Sequence, residues 1–167
     1  MTKIEFDRNT LRVMALIPYY FSGTVLFSGS RKSADKFITL IPYFMQRIKQ
    51  VDSKVIVGDA SGIDTMVINS CIEHKIPLTV CGISDLPRNG REYLGNDLFT
   101  YKKIESDVFT SAADLFLNRD RFMADNALIG IFLWNGLSRG TKYTHDYMRE
   151  LNKKVVLITD LNGDWLK

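Results

Sequence analysis

Cysteine and histidine are scarce: Cys71, Cys81, His74 and His145 are the whole supply in 167 residues. Two cysteines without a C-x-x-C spacing exclude a disulfide-stapled scaffold and a dithiol redox motif. Both fall in apolar segments, where a free thiol behaves as a small buried hydrophobe. The pair fits a reducing, cytoplasmic setting. Two histidines far apart, with no cysteine or carboxylate cluster beside them, give no metal site to argue for.

A dominant charge is missing too. The formal net charge is +3, and Lys102-Lys103 and Lys153-Lys154 are isolated pairs. That scatter lacks the dense basic stripe of a non-specific nucleic-acid binder, so nucleic acid is not expected as the main ligand. The apolar run from Val13 to Phe21 is interrupted by Pro18 and is too short to cross a bilayer. The N-terminus, Met1-Thr2-Lys3-Ile4-Glu5, does not read as a secretory signal. A soluble cytoplasmic protein with no membrane partner is the expectation.

What is present is the material of one core. The chain is 46% hydrophobic and 25% charged, which suits a single globular domain that needs no staples. Residues 1–22 read as an N-terminal extension in which 11–17 fits a strand or a short helix. From Thr24 onward, short apolar runs alternate with helical patterns. Thr24 to Ser28, Lys54 to Gly58, Pro77 to Gly82, Leu128 to Trp134 and Lys154 to Thr159 read as strands. Helices are expected over 33–50, with Pro42 kinking or delaying the start, then from Ser61, over 111–126 and over 141–152. Continuous apolar strands separated by helices predict one Rossmann-like α/β domain over 23–167, with a mostly parallel sheet of about five strands and helices on both faces. Residues 83–110 are long for a β-to-α link and read as an insertion, serving as a lid, a specificity loop or an oligomer contact. A homo-oligomer is expected.

The loops after the strands carry the chemistry. Gly29-Ser30-Arg31 offers close backbone approach, successive N–H groups and a planar charged fork, the parts of an anion site; it also fits an ordinary tight turn. Gly58-Asp59-Ala60-Ser61-Gly62-Ile63-Asp64 clusters small residues where a strand meets a helix. Asp64 there fits a capping-box variant with Ser61, or a group that binds ribose hydroxyls or acts as a general base. Arg119 lies beside the apolar stripe of Leu115, Phe116, Phe122 and Met123, so its guanidinium needs a partner or a ligand, whereas Arg121 points to solvent. Trp134-Asn135-Gly136-Leu137-Ser138-Arg139-Gly140-Thr141 puts two glycines, two hydroxyls and an arginine before a helix, a good phosphate cradle. Trp134 would stack a base or close the core. His145, one turn into that helix, is within reach of the same pocket; His74 reads as a surface residue.

Taken in order, Gly29-Ser30-Arg31, Gly58 to Asp64, Arg119 to Met123 and Ser138-Arg139-Gly140-Thr141 resemble the loops of the SLOG superfamily of Rossmann-like proteins. That group includes DprA-like proteins, LOG-type phosphoribohydrolases and a small branch similar to YspA. The resemblance runs from about Thr24 to Thr159. It implies a ligand such as ADP-ribose, NAD or a nucleoside monophosphate across these loops, touched by Gly29, Ser30, Arg31, Gly58, Asp59, Ala60, Gly62, Asp64, Arg119, Met123, Trp134, Gly136, Ser138, Arg139, Gly140 and Thr141. It also implies a glutamate shortly after Gly140-Thr141 in the enzymes that cleave N-glycosidic bonds. Here Thr144 stands in that place, and Trp134-Asn135-Gly136-Leu137-Ser138 replaces a P-G-G stretch. An oxocarbenium-like transition state needs a nearby carboxylate. Binding or sensing of a nucleotide-derived ligand is therefore the first expectation. An N-glycoside hydrolase or transferase using Asp64 and Arg119 is the second, and a single-stranded DNA binder the third. No cofactor is assigned.

Overall fold

The computed structural model describes residues 23–32, 34–105 and 111–159; the segment 11–17 and the rest of the N-terminal extension lie outside them. Six strands form one all-parallel sheet: β1 (Thr24–Gly29), β2 (Lys54–Gly58), β3 (Leu78–Gly82), β4 (Phe99–Lys103), β5 (Ile129–Leu133) and β6 (Lys154–Ile158), in the order β4-β3-β2-β1-β5-β6. Among the described residues four helices cover it: α1 (Ile41–Gln50), α2 (Ile63–Glu73), α3 (Ala112–Asp125) and α4 (Arg139–Glu150).

Strand side chains alternate between the two faces, and the core divides accordingly. Val25, Phe27, Val55, Val57, Ile129 and Ile131 pack with Phe44, Ile48, Val67 and Ile68 of α1 and α2. Leu26, Ile56, Phe132 and Leu157 pack with Met123, Ala124 and Met148 of α3 and α4. Both faces are buried, which is why the strands read as unbroken apolar runs. Right-handed crossovers put helices met while moving one way along the sheet on one face, and those met moving the other way on the opposite face.

Two elements differ from the sequence reading. The helix expected from Ser33 begins only at Ile41, after a 3-10 turn at Ala34–Phe37, with Pro42 in its first turn. There the missing N–H has no intrahelical partner to lose. The segment 83–110 holds a 3-10 turn at Arg91–Tyr93 and the sixth strand, β4. Among β4 residues only Phe99 is buried, so its sequence carries no apolar run. It is an edge strand hidden in a charged stretch.

No helix among the described residues is long and apolar enough to cross a membrane. Cys71 and Cys81 are free and buried, as expected, and burial pushes both thiols up to about 12.

Candidate functional site

β1 pairs with β2 on one side and β5 on the other. The connections leaving β1 and β5 therefore run onto opposite faces and open a crevice at the carboxyl edge, where open α/β sheets bind ligands. A cleft of about 260 Å³ lies there, lined among others by Gly29, Arg31, Asp64, Arg119, Asp120, Met123, Arg139, Gly140 and Thr141. Ala60 and Ser138 also line it, with Phe27 and Ser28 of β1.

The cleft has a cationic end. α4 starts at Arg139 with Ser138 as its N-cap, and the Ser138 side chain makes no capping bond to the helix. Instead its hydroxyl lies 3.1 Å from the Thr141 hydroxyl. The first N–H groups of a helix lack intrahelical acceptors and carry the positive end of its dipole. Arg31 and Arg139, both exposed, flank this end.

The opposite wall is a buried ionic cluster. Arg119, 7% exposed, donates from Nε and Nη2 to Asp120 Oδ1 at 3.1 and 2.9 Å. Its Nη1 donates to Asp59 Oδ1 at 3.2 Å. Arg88, from the long connection, grips the same Asp59: its backbone N–H donates to Oδ2 at 2.9 Å, and its Nε and Nη2 to Oδ1 at 3.0 and 2.7 Å. Both guanidiniums sit over the Phe116 ring, at 4.6 Å for Arg88 and 5.0 Å for Arg119. The partner that Arg119 needs is thus supplied by the protein, through residues 59 and 120.

Asp64 is buried beside this cluster, and its Oδ2 accepts the Ala60 N–H at 3.1 Å. The capping box with Ser61 does not form: Gly62 is the residue before α2, and no side chain caps it. Burial raises the Asp64 carboxyl from 3.8 to about 6, against the pull of Arg119 and the Ala60 N–H. Burial likewise raises Asp120, opposed by the charge and hydrogen bonds of Arg119. A carboxyl that titrates near neutrality on a cleft wall can take up or release a proton.

Several residues of the expected ligand set also serve as structural joints. Ser30 is fully buried. Its N–H donates to Leu133 O at 3.0 Å, its carbonyl accepts the Ile63 N–H at 3.2 Å, and its Oγ accepts the Asn135 N–H at 2.8 Å. It ties the ends of β1 and β5 to the start of α2. Gly62, at φ +81°, lies against Ser30 and Arg31, where a Cβ would come within 2.5 Å of the Ser30 carbonyl oxygen. Gly58 leaves room for the cluster: a Cβ there would stand 2.7 Å from Asp64 Oδ2 and 3.1 Å from Arg119 Cζ. Gly58, Asp59 and Gly62 shape the cleft from behind.

Trp134 and Gly136 line a different cavity, together with His145. The Trp134 Nε1 donates to Ser138 O at 2.8 Å, so the indole braces the loop. His74 is half-buried at the end of α2, with Nδ1 2.8 Å from Ser70 O. Among the described residues no three His, Cys, Asp or Glu side chains gather as metal ligands.

Asp120 and Arg88 were not among the expected site residues. Thr144 stands where a glutamate is expected, and its hydroxyl donates to Gly140 O at 2.8 Å; Asp120 from α3 lines the cleft. The signal for Asp120 was its place next to Arg119 on a half-apolar helix. The Arg88–Asp59 pair spans 29 residues and left no local pattern.

No protein-family model matches the chain, and no curated protein does. Solved structures do. The chain is similar to DNA processing protein A (DprA) from Streptococcus pneumoniae, at 16% identity and TM-score 0.65, over 84% of this chain and 50% of that one. It is similar to DprA from Helicobacter pylori, at 14% identity and TM-score 0.63, over 83% of this chain and 66% of that one. The described fold is Rossmann-like, an all-parallel sheet covered by helices on both faces. The molybdenum cofactor carrier protein of Chlamydomonas reinhardtii shares it, at 13% identity and TM-score 0.56, over 83% of this chain and 77% of that one. The chain spans about half the length of the S. pneumoniae protein. At these identities the likeness concerns the fold.

Proposed function

We propose that the switch-point cleft binds a nucleotide or nucleotide-derived ligand, of the ADP-ribose, NAD or nucleoside monophosphate class, through its phosphate. The observation that carries this reading is the open N-terminus of α4 between Arg31 and Arg139 on one wall. Free helix amides and paired guanidiniums are the recurrent chemistry of phosphate recognition. Asp64 and Asp120 on the other wall suit ribose hydroxyls, which donate to carboxylates. The fold also serves the molybdenum cofactor carrier protein of Chlamydomonas reinhardtii, which supports a small-molecule ligand.

The test is calorimetry with ADP-ribose, NAD, AMP and inorganic phosphate. At least one nucleotide should bind, and Arg139→Ala should weaken it about tenfold, the loss of one charge-assisted contact. No heat with any of them, from folded protein, contradicts the reading. One of the DprA structures is described for its single-stranded DNA binding mode, so an oligodeoxynucleotide belongs in the same panel. DNA as the ligand would show affinity falling steeply with salt.

The raised Asp64 carboxyl favours a second reading, cleavage of a nucleotide N-glycosidic bond. Asp64 and Asp120 would stabilise the oxocarbenium-like sugar, while Arg119 holds Asp120 in place. Incubation with nucleoside monophosphates and chromatography for free base tests it. The rate should rise as pH passes about 6, where Asp64 ionises, and fall at least a hundredfold in Asp64→Asn. No free base from any nucleotide removes the reading and leaves binding intact.

A further inference from the structure

On the far side of α4 from the cleft lies a cavity of about 480 Å³, lined by Trp134, Lys142, His145, Asp146, Arg149 and Leu157, with Gly136 and Thr159 at its edge. It is larger than the cleft and within the size of small-molecule sites. It has an aromatic wall, Trp134, and an apolar floor, Leu157. His145 is 5% exposed. Its ring meets Phe132 edge-on, with centroids 5.3 Å apart, and its Nδ1 lies 3.0 Å from Asp146 Oδ1. A carboxylate at Nδ1 fixes the proton there, so the neutral ring presents Nε2 as an acceptor. Nε2 has no partner among the described residues. A buried polar atom left so invites a hydrogen bond from an occupant.

The charges in the wall are not balanced. Asp146 accepts Lys142 Nζ at 2.8 Å through Oδ2 while its Oδ1 faces His145. Arg149, exposed, has no acidic partner among the described residues. One cation is left over, beside an indole and an open acceptor. We propose that this cavity is a second binding site, for a small flat organic anion: a ring against Trp134, an acidic group at Arg149 and a ring hydroxyl or amino group donating to His145 Nε2. It stands independently of what the cleft binds.

The probes are 4-hydroxybenzoate and 4-aminobenzoate, with benzylamine as a cation of similar size. The readout is NMR of the Trp134 indole N–H and the His145 ring in the full chain. Both anions should shift both signals saturably, with Kd on the order of 1 mM for so small a ligand, and benzylamine should not. Arg149→Ala should weaken binding about fivefold, the worth of an exposed charge pair, and Arg139→Ala in the cleft should leave it unchanged. The proposal is overturned if neither anion moves these signals. It is also overturned if Arg149→Ala and Lys142→Ala, both exposed changes, each bind as the wild type does, or if Arg139→Ala abolishes the shifts.

Discussion

Replacing Arg119 by leucine should cost about 3–5 kcal/mol of folding stability at pH 7.5, the usual penalty for removing one side of a buried ion pair. Arg119 contacts Asp59 and Asp120 directly and draws down the carboxyl of Asp64. Arg88 still holds Asp59 in the variant. Asp120 has no other cation within hydrogen-bonding distance among the described residues, so it would be left as a buried, unpaired carboxylate. For a chain of this size the melting temperature should fall by roughly 10 °C. The deficit should shrink on acidification, because protonated carboxyls no longer need the guanidinium. Urea unfolding at pH 7.5 and pH 5 checks both statements. A loss under about 1 kcal/mol would mean that the cluster is solvated and the wall of the cleft is not held as described.

Asp64→Asn should do the opposite. Below about pH 4 the carboxyl is protonated both folded and unfolded, and it makes no difference to pH dependence. Between pH 4 and 6 the unfolded chain loses its proton while the folded protein keeps it, so wild-type stability falls as pH rises. The rise from 3.8 to about 6 corresponds to about 3 kcal/mol lost by pH 7. Asparagine keeps an oxygen for the Ala60 N–H and carries no charge, so the variant should be more stable than wild type at pH 7 by up to that amount. Near pH 4 the gain should vanish. Denaturant titrations across this range measure it. Equal stability of the two proteins at pH 7 would show that Asp64 ionises freely. A residue that weakens the fold at neutral pH, on the wall of a cleft, fits a functional role better than a structural one.

Much of the architecture was legible because both faces of the sheet are covered. β1, β2, β3, β5 and β6 read as apolar runs, and helices were expected where α2, α3 and α4 lie, although of the stripe read on α3 only Met123 is buried. β4 was not legible, because an edge strand with Thr100, Lys102 and Lys103 exposed presents no buried face to the pattern. The strand-end loops were found, but their inner division was not. Ser30 and Arg31 are neighbours in sequence, yet Ser30 is consumed by three hydrogen bonds between elements while Arg31 lines the cleft. Trp134 and Arg139 belong to one loop-and-helix start, yet they line two cavities on opposite sides of α4. Which side a side chain takes depends on the helix axis, and sequence spacing alone does not supply that. Asp120 shows the same limit: a carboxylate missing at position 144 is offered from a neighbouring helix, 24 residues earlier in the chain.

The measurement closest to the central claim is an amide NMR titration of the full chain with AMP. The backbone N–H signals of Arg139, Gly140 and Thr141 should move together and saturate with a single Kd, accompanied by Arg31, because a phosphate at the start of α4 accepts from that turn. Saturable binding that leaves those four signals still and moves others would contradict the account.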